Sequence, residues 1–250
     1  SLMTALSINL NKIALIRNSR EGNYPSVVEH AKTCIDSGVD GITVHPRPDQ
    51  RHIRPDDVRQ LAALTRSLDE VEFNIEGNPF AGALDSYPGL LALVEETQPN
   101  QCTLVPDADN QLTSDHGFDL TKQADKLIPV IDQIKAMGVR VSLFMDPDLQ
   151  QIKLASDLGA DRIELYTGPY AAAWGSSQLE TLFQQHLHAA NLATSLGMGV
   201  NAGHDLNLDN LAKFASIPDL LEVSIGHAFT VDSLNMGMVS ALRAYQACLS

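Results

Sequence analysis

The chain of 250 residues has few aromatic side chains: Phe, Trp and Tyr make up 5% of it, with a single tryptophan, Trp174. With 44% hydrophobic residues the core must be built from small aliphatic side chains. No apolar run approaches the ~20 residues that a membrane-spanning helix requires, so no membrane association is expected. The start of the chain lacks a basic segment followed by an apolar block, so no secretory signal is read there. Ser1-Leu2 ahead of Met3 reads as an expression remnant. Cysteine is scarce: Cys34, Cys102 and Cys248 are far apart and set in apolar surroundings. They read as buried reduced thiols rather than a disulfide or metal framework, which points to the cytoplasm.

Positive charge is also scarce. Seventeen Lys and Arg face 31 Asp and Glu, for a net charge of -14. That balance excludes nucleic acid as a partner. The distribution is uneven: nine cations fall in the first 66 residues and none between Ser67 and Thr121. An acidic protein that gathers its cations in two early loops attracts small anions locally. The sequence has no GxGxxG after its first strand, which argues against a dinucleotide site, and no HxH or HExxH ligand pair.

What is present is a repeated unit. Strands are read at 5–10, 41–44, 72–75, 101–105, 140–144, 162–165, 199–201 and 222–225. Helices are read at 25–38, 54–67, 90–97, 120–137, 148–158, 177–196, 207–216 and 231–249, with a polar loop at 17–24 and an irregular one at 77–89. The phrases SGVDGITVH, MGVRVSLF, LGADRIELY and LGMGVNAG share one pattern, a helix-ending glycine and then a strand. Short strands rich in Val, Ile and Leu are those of a parallel sheet covered on both faces. Eight such units over residues 1–250 predict a single α/β domain, a (β/α)8 TIM barrel, with a doubly wound open sheet as the alternative.

In that barrel the active face is the set of loops after the strands. Those positions hold Asn9, Asn11 and Lys12; His45 and Arg47; Glu76; Asp146; Glu164 and Tyr166; Asn201 and His204; and Gly226 and His227. Two histidines and two carboxylates at one mouth form a general acid/base set. Each has a structural alternative: His45 bonding a carbonyl in its proline-rich turn, the glutamates pairing with Arg or Lys, His204 standing beside a helix cap. As metal ligands the four would suit Zn or Mn, a reading not favoured without a close-spaced ligand pair. NAGH at 201–204 and SIGH at 224–227 place glycine turns after strands seven and eight, where this fold cradles phosphate. Arg47 suits bidentate phosphate binding, with Arg17 and Arg20 expected nearby. Arg51, Arg54 and Arg59 read as a solvated face, and His30, His116, His186 and His188 as solvated side chains. Two anion sites flanking an acid/base set predict small phosphorylated substrates.

The motifs RNSR (17–20), GITVHPRPDQRHI (41–53), FNIE (73–76), RIELYTGPYA (162–171), VNAGHDL (200–206) and IGHA (225–228) together resemble the pyridoxine 5'-phosphate synthases of the deoxyxylulose-phosphate route to vitamin B6. The resemblance implies condensation of 3-amino-2-oxopropyl phosphate with 1-deoxy-D-xylulose 5-phosphate. It implies His45 and Glu76 as proton acceptors, His204 as proton donor and Glu164 as the group that stabilises transition-state charge. Arg47, His52 and Thr113 would hold the deoxyxylulose phosphate; Asn9, Arg20, Gly226 and His227 would serve the aminoketone phosphate. It further implies a homo-octamer needing neither metal nor organic cofactor. The chain departs from the family pattern at three places. Asn11 and Lys12 stand where Asp and His are frequent, Asp205 stands where glycine is common, and the 77–89 link is long. Another phospho-sugar barrel enzyme, or a non-catalytic phosphate-binding protein, are the competing readings.

Overall fold

The computed structural model describes residues 3–250, so the expectation for Ser1 and Leu2 lies outside the described residues. Eight parallel strands close into a barrel in chain order: β1 (Ala5–Asn9), β2 (Gly41–Val44), β3 (Glu72–Gly77), β4 (Gln101–Leu104), β5 (Arg140–Met145), β6 (Arg162–Tyr166), β7 (Gly199–Gly203) and β8 (Leu220–Ile225). Closure by β1 against β8, with Ala5 opposite Glu222 and Ile8 opposite Ile225, rules out the open sheet. Around the barrel lie α1 (Asn11–Asn18), α2 (Val27–Asp36), α3 (Pro55–Arg66), α4 (Leu90–Thr97), α5 (Leu120–Ala136), α6 (Leu149–Asp157), α7 (Gly168–Ala172), α8 (Leu179–Ser195), α9 (Leu211–Phe214), α10 (His227–Met236) and α11 (Met238–Leu249).

Local chemistry sets these boundaries. Ser26, Asp119 and Asp148 cap α2, α5 and α6 by accepting from Glu29 N, Thr121 N and Gln151 N. Gly38, Gly138, Gly159 and Gly197 follow four of the helices with φ between +80° and +92°, a conformation that side chains with a Cβ resist. The repeated glycine-then-strand phrase is therefore the αβ turn of the barrel.

Aliphatic side chains with no exposed surface, such as Ile42, Ile75, Leu143, Ile163 and Val200, fill the space between strands and helices. Inside the barrel the filling is more polar. Ser7 Oγ meets Thr43 Oγ1 at 2.7 Å, Asn74 Nδ2 donates to Thr43 Oγ1 at 3.2 Å, and Thr103 Oγ1 donates to Asn74 Oδ1 at 3.0 Å. Toward the strand starts, Gln101 and Asn201 donate to Glu222 Oε1 at 3.1 and 3.3 Å, and Arg162 donates to Asn201 Oδ1 at 3.1 Å. Buried polar groups are tolerated here because they satisfy one another. Asn201 belongs to this lower network and not to the mouth, contrary to its reading as a strand-end group.

The sequence reading needs correction at several elements. Part of the supposed loop after β1 is helical: α1 buries Ile13, Ala14 and Arg17, and a buried arginine hides its amphipathic pattern. The short α7 was also missed. The helix predicted to open at Pro25 begins at Val27, after the Ser26 cap. The closing helix is two helices that begin at His227 and break at Gly237, where φ is 84°. The segment predicted as a helix at 207–216 retains only the single turn of α9. Cys34 and Cys102 are buried free thiols, whereas Cys248 is partly exposed. Among the described residues no helix is long and apolar enough to cross a membrane.

Candidate functional site

The mouth begins at the end of β1. Asn9 Oδ1 accepts from Asn11 N at 2.8 Å, which turns the chain into α1. Asn11 Oδ1 accepts from His45 N at 2.9 Å, which fastens that turn to the end of β2. Asn9 Nδ2 reaches Glu76 Oε1 on β3 at 3.5 Å. The first three strand ends are thus joined through the side chains of Asn9 and Asn11, and His45 and Glu76 are buried there.

Glu164 on β6 is also buried, and its Oε2 has no hydrogen-bond partner. Burial raises its pKa well above the usual carboxyl range, and the facing Glu76 raises it further. Burial, then Asp107, push Glu76 up to about 8. Two carboxyls so close in a dry site cannot both ionise. Burial therefore favours the uncharged acid on both carboxyls. Gly203 on β7 makes room for this arrangement, since a Cβ there would stand 2.9 Å from Glu164 Oε1.

Burial favours the uncharged form of the histidines. Burial lowers the pKa of His45 strongly, with Arg47, His52 and His204 adding to the effect. His204 is likewise lowered by burial, against an opposing pull from Asp205. Its ring is held edge-on by Phe144 and Tyr166, at centroid distances of 5.0 and 5.9 Å. Thr167, absent from the sequence reading of the site, donates its hydroxyl to the carbonyls of Gly203 and His204. It fixes the turn in which His204 and Asp205 take φ of 83° and 59°. Only its presence in the TGPY motif marked it.

The loop after β2 forms the cationic wall. Arg47 is buried and pairs through Nη2 with Asp107 Oδ2 at 2.8 Å, and Ser114 Oγ donates to the same oxygen at 2.6 Å. Arg47 Nε and Asp107 Oδ1 are buried without partners. A guanidinium with an unfilled donor is suited to a further anion. His52 Nδ1 accepts from Ile53 N at 2.8 Å, which leaves the proton on Nε2. Burial, then Arg47 and Arg51, lower His52 to about 3.

Several expectations for this wall change. Arg17 is no part of an anion site: it is buried against Asp57, at 2.6 Å, and donates to the His52 carbonyl at 3.0 Å. Arg51 is not solvated. It donates to the carbonyls of Gln111 and Asp109 at 2.5 and 2.9 Å and ties the 45–54 loop to the 106–117 loop. Arg54 is half-buried. Arg59 remains a surface group, between Asp56 and Glu96. His186, expected in solvent, is fully buried, with its ring nitrogens on the carbonyls of Leu182 and Tyr166 at 2.8 and 3.0 Å. The residues Arg20, Thr113, Asp205 and His227 are exposed on the rim.

The two glycine turns differ. Gly226 lies against Asn9, where a Cβ would be 3.1 Å from Asn9 Cβ, and it directly precedes the ten-residue α10. The positive end of that helix faces the rim. After β7 only one helical turn follows, seven residues beyond His204, so the expected helix dipole is absent there. Among the described residues no group of three or more His, Cys, Asp or Glu has the arrangement of a metal site.

The chain is 56% identical over 245 residues to pyridoxine 5'-phosphate synthase of Xanthomonas axonopodis pv. citri (strain 306), covering 98% of this chain and 96% of that protein. It is 53% identical over 246 residues to the protein of the same name from Xylella fastidiosa (strain M23), covering 98% and 94%. Among solved structures, 3-hexulose-6-phosphate synthase from Salmonella typhimurium superposes with a TM-score of 0.63 at 16% identity, covering 98% of each chain. KGPDC from Streptococcus mutans does so with 0.63 at 12%, covering 99% and 98%. These two share the fold alone. The model of the family "Pyridoxal phosphate biosynthesis protein PdxJ" matches residues 6–250, and with relatives of this identity along the whole chain, the protein belongs to that family of enzymes.

Proposed function

We propose that the chain is a pyridoxine 5'-phosphate synthase that condenses 3-amino-2-oxopropyl phosphate with 1-deoxy-D-xylulose 5-phosphate, giving pyridoxine 5'-phosphate, phosphate and water. The observation that carries this reading is the mouth itself: the glutamates Glu76 and Glu164 and the histidines His45 and His204, all with the uncharged form favoured by burial, beside a buried arginine with an unfilled donor. Ring formation by this route needs several proton transfers to and from carbon, nitrogen and oxygen. A neutral imidazole accepts at one nitrogen and donates from the other, so each histidine serves in both directions.

In this reading Arg47, with His52 and Thr113, holds the phosphate of the deoxyxylulose phosphate. Asn9, Arg20, Gly226 and His227 hold the aminoketone phosphate at the start of α10. His45 and Glu76 remove protons, Glu164 stabilises the oxyanion that develops between them, and His204 protonates the departing oxygen. Burial strengthens each of these interactions, since fixed dipoles replace mobile water. Turnover with both phosphates tests the proposal: pyridoxine 5'-phosphate is the expected product, and its absence at saturating substrate refutes it. The homo-octamer implied by the resemblance and the cytoplasmic location read from the reduced cysteines belong to the same proposal. Sedimentation of the purified protein tests the first, and fractionation of cells the second.

A further inference from the structure

Asp107 is a buried carboxyl to which the proposed reaction gives no part. Its side chain is 2% exposed, and that of its partner Arg47 6%. The two meet through Arg47 Nη2 and Asp107 Oδ2, at 2.8 Å. Arg47 Nε and Asp107 Oδ1 are both buried without a partner, so they do not bond to each other. A buried donor and a buried acceptor left open in one ion pair cost stability unless something fills them. The carboxylate is fixed without the use of Oδ1. Ser114 Oγ donates to Oδ2 at 2.6 Å, and Asn78 Nδ2 donates to the Asp107 carbonyl at 2.8 Å. Arg47 and Asp107 line one cleft, between the loops after β2, β3 and β4. His45, buried just past the end of β2, lines it too, so the cleft is continuous with the acid/base set. Pro46, Pro48, Ala81 and Leu84 give it apolar walls.

A guanidinium only donates and a carboxylate only accepts, so the complement of this couple is a group that does both. A phosphate or a ketone only accepts and would leave Oδ1 unfilled; a phosphate would also set like charge against the carboxylate. An ammonium only donates and would leave Nε unfilled. A hydroxyl accepts and donates. We propose that Arg47 Nε and Asp107 Oδ1 together bind one hydroxyl of the deoxyxylulose phosphate, which makes Asp107 a specificity-determining residue. This rests on the reading given under the proposed function. The aminoketone phosphate has no hydroxyl, so the couple sorts the two substrates. 1-Deoxy-D-xylulose 5-phosphate has one on C3 and one on C4. The guanidinium is a rigid plane: Nε takes the hydroxyl and Nη1 is left for the phosphate on C5. The hydroxyl next to that phosphate, on C4, is therefore the one bound. Within apolar walls, a ligand that lacks it leaves a buried donor and a buried acceptor unpaired, and is rejected for that reason.

The test is calorimetric titration of the full-length protein with 1-deoxy-D-xylulose 5-phosphate and with its analogues lacking the C4 or the C3 hydroxyl. Loss of the C4 hydroxyl should raise Kd about tenfold or more, and loss of the C3 hydroxyl less than about threefold. In Asp107→Ala the natural ketose phosphate should bind more weakly, and it and the C4 analogue should bind within about threefold of each other. Damage to the fold alone would weaken both and preserve their ratio. Equal Kd for the ketose phosphate and its C4 analogue on the wild-type protein overturns the proposal, as does a larger loss from the C3 analogue. An unchanged ratio in Asp107→Ala also overturns it. The wild-type comparison needs no variant and decides the matter if Asp107→Ala does not fold. A protein that makes pyridoxine 5'-phosphate yet is indifferent to the C4 hydroxyl refutes the couple alone. One that does not bind the natural ketose phosphate refutes the proposed reaction as well.

Discussion

Replacing Asp57 with alanine should unfold the cationic wall from behind. The Asp57 carboxylate accepts from Arg17 Nη1 at 2.6 Å, from Arg17 Nη2 at 3.0 Å and from Arg54 N at 2.7 Å. The two side chains of the pair are only 4% and 9% exposed. Removing the carboxylate leaves a buried guanidinium with only the His52 carbonyl and the Asn18 side-chain oxygen as acceptors, and it also frees the N-cap N–H of Arg54 ahead of α3. Breaking a buried pair on one side costs about 3–5 kcal/mol. In a chain of this size each kcal/mol moves Tm by about 2–4 °C, so a fall of about 6–20 °C is expected. Thermal unfolding followed by circular dichroism measures it. The double variant Arg17→Met/Asp57→Leu should recover most of the loss, because an apolar pair of similar volume leaves no unpaired charge. The same salt bridge anchors α1 to the loop carrying Arg47 and His52, so Asp57→Ala should also raise KM for the deoxyxylulose phosphate at temperatures where it remains folded. A loss below about 1 kcal/mol, typical of an exposed pair, would refute the reasoning.

Other substitutions probe the mouth itself. Arg47→Lys keeps the charge but loses the planar fork, and should raise KM for the deoxyxylulose phosphate about tenfold or more in steady-state assays. Gly203→Ala drives a methyl group to 2.9 Å from Glu164 Oε1 and should lower kcat at least about tenfold while the circular dichroism spectrum is retained. The folded state favours the proton on Glu76, so the stability it contributes is present below about 4.5 and lost as pH rises through about 8; Glu76→Gln should flatten the alkaline limb of Tm against pH. His52 acts in the opposite sense. Its folded pKa is depressed from 6.5 to about 3, so its contribution is present above 6.5 and lost as pH falls toward about 3, and His52→Gln should flatten the acid limb. Unchanged limbs in both variants would show that neither group titrates as its burial demands.

The barrel was legible because its causes are local. Period, strand composition and the glycine after each helix repeat along the chain, and each repeats for a reason that acts within a few residues. Placement of His45, Glu76, Glu164 and His204 at the mouth followed from the same rhythm, because a parallel barrel sends every strand end to one face. What the rhythm could not decide was pairing. Arg17 and Arg47 are both arginines next to polar loops; one is closed off by Asp57 and the other keeps an unfilled donor. Arg51, His186 and Thr167 looked like surface or filler residues, yet they hold loops and turns by bonds to carbonyls from 20 to 60 residues away. Glu222 and Asn201 belong to a polar layer below the mouth whose members come from β4, β6, β7 and β8.

The sequence by itself therefore determined the elements, their order and the face on which titratable groups collect. The tertiary structure alone decided which of those groups are dry, which are paired and which are free. Those properties depend on what approaches from distant parts of the chain, and a pKa or a vacant hydrogen-bond donor exists only once that neighbour is in place.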